Sequence, residues 1–341
     1  MGELRFAVFG AGFWAPYQLA AWGELKGARC VALYNRTRER AEALARRAGI
    51  PAVYDDAEEL IRRERPDFLD VVTSVETHAP FVRLAAEHGL PVICQKPMAT
   101  TLAEAEEMVA VCQRAGVPLF VHENWRWQEP LRRLKQALDE GRIGRPFRAR
   151  IEYNSSFPVF DNQPFLKELE QFILTDMGSH ILDVGRFLLG EVERLYCQTH
   201  RVHPDIAGED VATVMMRTRA GATLTCEISY ASRTEKERFP QTFVLVEGEE
   251  GSLELAPDYW VRLTTAEGVF SRRWPPPVYP WSDPAYALVH SSIVSCNADI
   301  LRALRGEGRA ETTGEDNLQT VRLVFAAYES AATGRAVVLP G

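Results

Sequence analysis

The sequence of 341 residues lacks paired cysteines, a dense basic cluster and any apolar run of membrane-spanning length. Its six cysteines are far apart and form no C-x-x-C pair. A disulfide framework or a zinc site is therefore disfavoured, and buried thiols in a reducing compartment are expected. The formal net charge is −8 and the basic residues are scattered, so the chain has no electrostatic signature of nucleic-acid or membrane binding. These absences favour a small-molecule partner.

The chain reaches a strand pattern by Leu4, which leaves no room for a charged leader with an apolar signal core. We therefore expect a cytoplasmic protein, without a metal site. Hydrophobic residues make up 46% of the sequence and charged residues 25%, which is enough for a large core and favours two domains over one. No internal repeat is present.

Strand and helix patterns alternate through the first third of the chain. Strands are expected at 4–9, 30–34, 68–73, 91–94 and 118–121. Helices are expected at 17–22, 39–47, 79–88 and 102–114. Continuous apolar strands between helices indicate a parallel, doubly wound sheet, so the fold class is α/β with a Rossmann domain at the N-terminus.

The pattern changes after His122 to strands that alternate in polarity and are joined by short turns. Strands are expected at 147–153, 211–217, 222–230 and 242–246, with hairpin turns at 219–221 and 248–251. Helices are expected at 130–139, 291–305 and 315–333, and a proline-rich loop at 274–284. We therefore predict two domains: a doubly wound α/β domain at 1–122 and a second domain with helices and mostly antiparallel strands at 123–341.

The glycine-rich segment 10–15 satisfies the pattern G-x-G-x-x-G/A between a predicted strand and a predicted helix. Gly10 permits the tight turn, Gly12 lets the backbone approach a pyrophosphate, and Ala15 allows close packing of the helix on the strand. The helix N-terminus attracts phosphate groups. The segment predicts dinucleotide binding, with Phe13 and Trp14 beside the cofactor.

Recognition of the adenosine ribose is expected after the second strand, where the chain carries Asn35, Arg36 and Arg38. A carboxylate there would repel a 2′-phosphate, whereas a guanidinium can pair with it. No carboxylate precedes Glu39, which favours a weak preference for NADP over NAD. The alternative is that Arg36 stacks on adenine and Arg38 is a solvated residue at the start of a helix.

Lys96 follows the fourth predicted strand within the segment Gln95-Lys96-Pro97. Open parallel sheets bind their ligands at the carboxyl ends of strands, so this lysine is a candidate to bind a substrate hydroxyl and lower its pKa. The alternative is a solvated lysine before a turn.

Asp176 and His180 are four residues apart in a segment with a helical pattern. On a helix both side chains project from one face, with Cβ atoms about 5–6 Å apart. The carboxylate can then orient the imidazole, which is suited to accept a proton near neutral pH. The alternative is a capping aspartate and a histidine of the core.

In combination these segments make the chain similar to the Gfo/Idh/MocA oxidoreductase family, named for glucose-fructose oxidoreductase and inositol dehydrogenase. The family's E-K-P signature appears as Gln95-Lys96-Pro97, and its D-x-x-x-H-x-x-D element as Asp176, His180 and Asp183. The run 330–335 resembles the closing segment of the family. The resemblance covers nearly the whole chain.

The resemblance implies a Rossmann domain followed by an α+β domain whose open sheet forms a homodimer or homotetramer interface. It also implies that Lys96, Asp176 and His180 form the active site, with His180 as proton acceptor and Lys96 positioning the reacting hydroxyl. Gln95 departs from the usual Glu and is expected to tune cofactor affinity. The family's T-P-N-x-x-H appears as segment 73–78, so the asparagine contact to the cofactor is either absent or made by backbone groups.

Two further sets of candidate contacts complete the expected site. The cofactor set within and beside these loops is Thr73, Val75, His78, Gln95 and Lys96. The substrate set, besides Lys96, Asp176 and His180, is Asn124 and Arg126, with Tyr153 and Asn154 as weaker candidates. Alternatively, Trp125 and Trp127 belong to a core between domains, Arg126 is an ion-pair partner and Tyr153 is a strand residue.

The resulting functional hypothesis is an NAD(P)-dependent dehydrogenase that transfers a hydride from a carbinol carbon of a sugar or polyol to nicotinamide. The segment 122–180 also resembles aldose 1-dehydrogenases, including those acting on the branched pentose apiose, for which the product is a lactone. Two alternatives remain open. One is a reductase or redox-assisted lyase on a related carbohydrate, and the other is a silent NAD(P)-binding sensor on the same fold.

Overall fold

The computed structural model describes residues 2–340, which divide into two compact units. Unit 1 contains residues 2–124, 279–283 and 290–321. Unit 2 contains residues 125–278, 284–289 and 322–340.

Unit 1 is built on a six-stranded parallel sheet with the strand order β3-β2-β1-β4-β5-β6. The strands are β1 (Leu4–Phe9), β2 (Ala28–Tyr34), β3 (Ala52–Tyr54), β4 (Phe68–Val71), β5 (Val92–Gln95) and β6 (Leu119–His122). The helices between them are α1 (Ala15–Gly23), α2 (Arg38–Ala48), α3 (Ala57–Glu64), α4 (His78–Glu87) and α5 (Leu102–Ala115). The direction of winding reverses between β1 and β4, which is where a doubly wound sheet opens a ligand crevice at its carboxyl edge.

The strands of unit 1 form because they are short apolar runs that can be buried on both faces. Every residue of β4, β5 and β6 is buried. Helix α5 shows how the helix ends are fixed: the Thr101 side chain accepts from the Glu104 backbone N–H at its start, and Gly116 ends it with φ +68°. The predicted alternation of strands and helices is confirmed, although β3 and α3 were not predicted.

Unit 2 is built on a nine-stranded sheet with the order β14-β13-β12-β11-β7-β10-β9-β8-β15. The strands in its central part are β7 (Pro146–Asn154), β8 (Val192–His200), β9 (Val211–Thr218), β10 (Thr223–Ser229) and β11 (Phe243–Gly248). The remaining strands are β12 (Gly251–Ala256), β13 (Trp260–Thr265), β14 (Gly268–Arg273) and β15 (Val337–Val338). Only the pair β7 and β10 is parallel among the described pairings, so the predicted mostly antiparallel sheet is confirmed.

The helices of unit 2 are α6 (Glu129–Asp139), the short α7 (Val159–Asn162) and α8 (Ser179–Leu189). Alternate residues of β9 are buried and exposed, so one face of the sheet is covered and the other is open. Helix α8 packs on the covered face: a Cβ added to Gly185 would lie 2.6 Å from Leu224 Cδ2 on β10. The glycine is therefore needed for close approach of helix and sheet.

Two long helices, α9 (Ala287–Leu304) and α10 (Gly314–Thr333), complete the chain. The predicted boundary after residue 122 lies close to the end of the first segment of unit 1 at Asn124. Residues 290–321, which the sequence assigned to the second domain, belong instead to unit 1. This segment contacts the edge strand β6: the Val121 N–H donates to the Thr312 carbonyl at 2.9 Å, and Phe120 forms an isolated antiparallel bridge with Thr313.

The predicted loop at 274–284 is confirmed: it contains no strand and no helix before the short 3₁₀ turn at Pro284–Tyr286.

All six cysteines are free thiols, and five of them are buried. Burial raises the pKa of the Cys30 thiol to about 12, so it is neutral at physiological pH. No helix among residues 2–340 is long and apolar enough to cross a membrane.

Candidate active site

The glycine turn after β1 is held tightly against the end of β4. Gly10 has φ +120°, and a Cβ added to it would lie 2.7 Å from the Val72 carbonyl oxygen. The Gly10 N–H donates to the Tyr34 carbonyl of β2 at 2.8 Å. Only glycine satisfies both the backbone conformation and the close approach, so Gly10 has the structural role predicted for it.

Gly12 has a different environment, because a Cβ added there would meet no protein atom within 4 Å. The protein itself therefore does not require glycine at this position, which fits a cradle that leaves room for a pyrophosphate. Helix α1 begins three residues later at the fully buried Ala15, so the positive end of its dipole adjoins the glycine turn. Phe13 is 58% exposed in the same turn, and Trp14 precedes the helix. These residues fit a nicotinamide dinucleotide.

The loop after β2 is tied to the glycine turn by Asn35. Its Oδ1 accepts from the Ala11 N–H at 3.1 Å, and its Nδ2 donates to the Thr37 carbonyl at 2.8 Å. This side chain therefore shapes the loop in which a carboxylate would otherwise recognise the ribose.

The two arginines of this loop differ in their surroundings. Arg38 forms ion pairs with Glu42 at 3.1 Å and with Asp55 at 3.7 Å. Arg36 is exposed and lies near Tyr34: burial raises the pKa of that phenol, and the positive charge of Arg36 opposes the shift. Of the pair, Arg36 is the better candidate for a ligand phosphate.

His78 is buried and joins two loops at the carboxyl edge of the sheet. Its Nε2 lies 3.1 Å from the Thr73 carbonyl oxygen, and its Nδ1 lies 3.1 Å from the Pro97 carbonyl oxygen. Burial lowers the pKa of His78, although these carbonyl contacts oppose the shift. The structure thus gives His78 a role in holding the segment after Lys96, where the sequence suggested a direct cofactor contact.

The remaining candidates of unit 1 lie at the same carboxyl edge. Lys96 immediately follows β5 and is half-buried. Val75 begins a single 3₁₀ turn after β4, and Thr73 precedes it. Asn124 is buried, and its Nδ2 donates to the Ser292 hydroxyl at 2.9 Å, which gives it a structural partner within unit 1.

Asp176 lies in a π-helical turn, Leu174–Gly178, that leads directly into α8. The prediction of a helix is confirmed for His180, which is in the first turn of α8, but the wider turn around Asp176 was not predicted. Single π turns inside helices are frequent at functional sites. The Asp176 carbonyl accepts from the Ser179 hydroxyl at 2.9 Å, which joins the π turn to the helix.

The ring of His180 stacks on the indole of Trp125, with centroids 4.4 Å apart and planes at 24°. The indole is itself fixed, because Trp125 Nε1 donates to the Thr242 hydroxyl at 2.9 Å. Both rings are buried. Stacking on a fixed aromatic ring restricts the imidazole to one plane, which suits a group that must exchange a proton in a defined direction.

Tyr230, at the end of β10, supplies a hydroxyl to this site that the sequence did not reveal. Its OH donates to Asp176 Oδ2 at 3.3 Å. Tyr230 is also hydrogen-bonded to Tyr153 on β7, and burial raises the pKa of both phenols well above the ordinary value. Both tyrosines are therefore neutral donors at physiological pH.

The π turn is anchored from behind by Tyr328 of α10. The Tyr328 OH donates to Glu209 Oε1 at 2.8 Å and accepts from the Thr175 N–H at 3.2 Å. Glu209 Oε1 also accepts from the Leu174 N–H at 3.3 Å. These bonds satisfy backbone donors at the start of the turn that carries Asp176.

Arg126 and Asp183 form a buried bidentate ion pair, with Nε to Oδ2 at 2.7 Å and Nη2 to Oδ1 at 2.5 Å. Such a pair uses the planar donor edge of the guanidinium. The alternative interpretation of Arg126 as an ion-pair partner therefore describes the structure, and the substrate contact expected of it stays a prediction. Asp183, the last residue of the D-x-x-x-H-x-x-D element, positions the helix that carries His180.

Comparison with known families identifies both parts of the chain. The model described as "Oxidoreductase family, NAD-binding Rossmann fold" matches residues 4–123, and the Gfo/Idh/MocA C-terminal domain matches residues 131–254. The chain belongs to the Gfo/Idh/MocA oxidoreductase family. The predictions of the family and of an NAD-dependent oxidoreductase are confirmed.

Two relatives are similar over almost the whole chain. A D-apiose dehydrogenase from Paraburkholderia graminis is 44% identical over 337 residues, which cover 99% of this chain and 90% of the relative. A D-apiose dehydrogenase from Rhizobium rhizogenes is 40% identical, covering 99% and 98%. A crystal structure of an oxidoreductase from Agrobacterium radiobacter in complex with NAD⁺, L-tartaric acid and magnesium superimposes with a TM-score of 0.97 at 40% identity, covering 98% of each chain. Among residues 2–340, no cluster of three or more His, Cys, Asp or Glu side chains is placed to hold a metal ion.

Proposed function

We propose that this protein oxidises C1 of D-apiose, or of an aldose closely related to it, to the corresponding lactone with NAD(P). The observation that supports this choice of substrate is the 44% identity, over 99% of the chain, to a D-apiose dehydrogenase. The observation that supports the cofactor is the glycine turn, in which Gly12 leaves a space that no protein atom within 4 Å occupies.

Oxidation of a carbinol requires that a hydride leave the carbon and that a proton leave the oxygen. The bound nicotinamide ring accepts the hydride. His180 accepts the proton of the C1 hydroxyl, and its stacking on Trp125 keeps the imidazole in a fixed plane. Asp176 stabilises the resulting imidazolium by its negative charge.

Lys96 donates a hydrogen bond to the same hydroxyl and favours its deprotonated form. Its position at the carboxyl end of β5 supports this role, because ligands of doubly wound sheets bind at that edge. Tyr153 and Tyr230 remain neutral, and the Tyr230 hydroxyl, which is hydrogen-bonded to Tyr153, holds Asp176 by donating its proton to the carboxylate.

We further propose that NADP is accepted beside NAD, and that Arg36 pairs with the 2′-phosphate. The support is the difference between the two arginines: Arg38 is already paired with Glu42 and Asp55, whereas Arg36 is exposed on the loop next to the ribose position. An arginine can form two charge-assisted hydrogen bonds to a phosphate.

We also propose that the protein is a homodimer or homotetramer that associates through the open face of the nine-stranded sheet. Met215 on β9 is 51% exposed on that face, and its register partners are Tyr196 on β8 and Thr225 on β10. An exposed methionine flanked by a tyrosine and a threonine, with charged residues such as Arg150 beside them, is suited to the rim and centre of an interface between subunits.

The proposed function is tested by screening aldoses and polyols, D-apiose among them, with NAD and with NADP, while reduced cofactor is followed by its fluorescence. Turnover with D-apiose and identification of its lactone by NMR are the expected results. Reduction of a keto sugar in the reverse assay, without oxidation of any aldose, would favour a reductase. Cofactor binding by calorimetry without turnover on any sugar would favour a sensor.

A further inference from the structure

A buried chain of hydrogen bonds runs beneath the carboxyl edge of the Rossmann sheet, from α1 to the residue before Lys96. Trp22 Nε1 donates to Asp70 Oδ2 at 2.7 Å, and Gln18 Nε2 donates to the same oxygen at 2.9 Å. Gln95 Nε2 donates to Gln18 Oε1 at 3.5 Å, and the Lys96 N–H donates to Gln95 Oε1 at 3.3 Å. All these side chains before Lys96 are buried.

The two ends of this chain determine its direction. The Trp22 indole N–H can only donate, so Asp70 Oδ2 is an acceptor whether or not the carboxyl carries a proton on its other oxygen. Gln18 must therefore turn its NH₂ group toward Asp70, and a second acceptor, Asn297 Oδ1, lies 3.2 Å from the same nitrogen. The amide oxygen of Gln18 is then directed at residue 95.

The side chain of residue 95 consequently has one neighbouring hydrogen-bond donor and one neighbouring acceptor. The Lys96 backbone N–H requires an acceptor, and the Gln18 amide oxygen requires a donor. A carboxamide satisfies both, whereas an ionised carboxylate would place one of its oxygens against the Gln18 oxygen. A buried acceptor without a donor costs the free energy of its lost hydration.

We propose that Asp70, through the orientation of Gln18, makes a hydrogen-bond donor necessary at position 95, and that Gln18 is thereby a positioning residue for Lys96. The proposal rests on the function proposed for Lys96, because its importance for turnover depends on that lysine binding the substrate.

The test compares Gln95→Glu with the matched control Gln95→Met, in cofactor-free protein unfolded by urea. Methionine loses the hydrogen bonds but introduces no opposed acceptor. At pH 9 the unfolding equilibrium constant of Gln95→Glu should exceed that of Gln95→Met by about tenfold or more. Equal constants, or a Gln95→Glu protein as stable as the parent, would overturn the proposal.

The pH profile provides a readout that a merely structural residue would not give. In the Gln95→Glu variant, a protonated carboxyl group at position 95 can donate to the Gln18 oxygen, so the folded pKa of that carboxyl must lie above the unfolded value of about 4.3. The deficit in the free energy of unfolding of this variant, relative to the parent, should therefore grow as pH rises above about 4.3 and level off above the folded pKa. A deficit that does not change with pH contradicts the proposal.

Other titratable groups share this interior, and the parent protein measured at each pH corrects for them. Asp70 lies at the centre, and burial raises its pKa to about 6. Cys30 and Cys94 lie close enough for the Asp70 charge to raise their pKa further, after burial as the main cause. His122 Nε2 lies 3.0 Å from Asn297 Oδ1.

The second part of the test exchanges the hydrogen-bond donor and acceptor between positions 18 and 95. Lysine at position 18 offers only donors, so Gln18→Lys combined with Gln95→Glu should be more stable at pH 9 than Gln95→Glu alone, by about tenfold in the unfolding constant. A double variant that folds no better than the single one would overturn the proposal. The pH profile of Gln95→Glu decides the question even if the double variant is not obtained folded.

Kinetics separates this proposal from the proposed function. In the active enzyme, Gln95→Glu should lower kcat at pH 9 more than it raises the KM for NAD, because the displaced group is Lys96. If the parent protein oxidises no sugar, the proposed function fails, but the urea measurements still decide whether residue 95 must be a donor.

Discussion

At the scale of single residues, His180 is the side chain on which the proposed chemistry depends most. Replacing His180 by Ala should lower kcat by about 10²- to 10⁴-fold, because the proton acceptor is lost. The exposed His88 at the end of α4 provides the matched control, His88→Ala, which should retain parental kcat. A kcat of His180→Ala within about threefold of the parent is incompatible with a general base at this position.

Lys96→Met tests whether this lysine binds substrate or anchors the cofactor. Methionine keeps the length of the side chain but removes its charge and donors, so kcat should fall about 10²-fold or more while the Kd for NAD changes little. Lys26→Met, on an exposed turn, is the control. Loss of NAD binding in calorimetry with normal kcat at saturating NAD would make Lys96 a cofactor anchor instead.

Arg36→Ala tests the choice of cofactor. A bidentate contact from arginine to phosphate is worth about 1.5–3 kcal/mol, so NADP binding should weaken by roughly 10- to 150-fold and NAD binding far less. Arg38→Ala removes a guanidinium already paired with Glu42, and it should affect the two cofactors equally. Equal weakening of both cofactors in Arg36→Ala would show that Arg36 stacks on adenine.

Short motifs in the sequence indicated the candidate site residues that are close together along the chain. They did not indicate residues that come near the candidate site only when the sheet is formed. Asp176 and His180 are four residues apart and could be recognised together. Tyr230 is 54 residues from its partner Asp176, and their contact depends on the position of β10 in the sheet. In the same way, the ion pair between Arg126 and Asp183 joins residues 57 positions apart. It could be recognised only from the position of α8 in the fold.

At the scale of secondary structure, the glycine turn offers a pair of matched substitutions. Gly10→Ala should destabilise the protein by about 1–3 kcal/mol, because the added Cβ would lie 2.7 Å from the Val72 oxygen at a φ of +120°. Gly12→Ala meets no protein atom within 4 Å, so Tm should change by only about 2 °C while NAD binds about tenfold more weakly. A Gly12→Ala protein with parental NAD affinity would argue against a pyrophosphate at that turn.

The π turn that carries Asp176 should depend on its support from α10. Tyr328→Phe removes the hydroxyl that accepts from the Thr175 N–H and that donates to Glu209 Oε1, so urea unfolding should show a loss of about 1–3 kcal/mol. The displaced turn should also lower kcat. The same loss of stability with an unchanged kcat would show that the anchor supports the fold without positioning Asp176.

The elements that were predicted well share one property: their burial pattern follows the period of a helix or a strand. Helix α5 and strands β9 and β10 are examples. Two of the missed elements lack such a pattern: β3 has three half-buried residues, and β14 is exposed throughout. Residues 290–321 were assigned to the wrong unit because they contact β6, which lies far from them in the sequence, and no local pattern reveals such a contact.

At the scale of the whole molecule, the open sheet face of unit 2 predicts self-association. Met215→Glu places a charge in the proposed interface and should shift the protein toward a monomer in light scattering after gel filtration. Thr213→Glu, two residues earlier on the same exposed face of β9, tests whether the effect is centred on Met215. A parent protein that is monomeric at micromolar concentration contradicts the proposal.

The central claim for the molecule is that a hydride passes from C1 of an aldose to the nicotinamide ring. It is tested most directly with D-apiose carrying deuterium at C1, by NMR of the reduced cofactor after turnover. The proposed function predicts that the deuterium appears on the nicotinamide and that the sugar product is the unlabelled lactone. Deuterium retained in the sugar product, with reduced cofactor free of label, would contradict it.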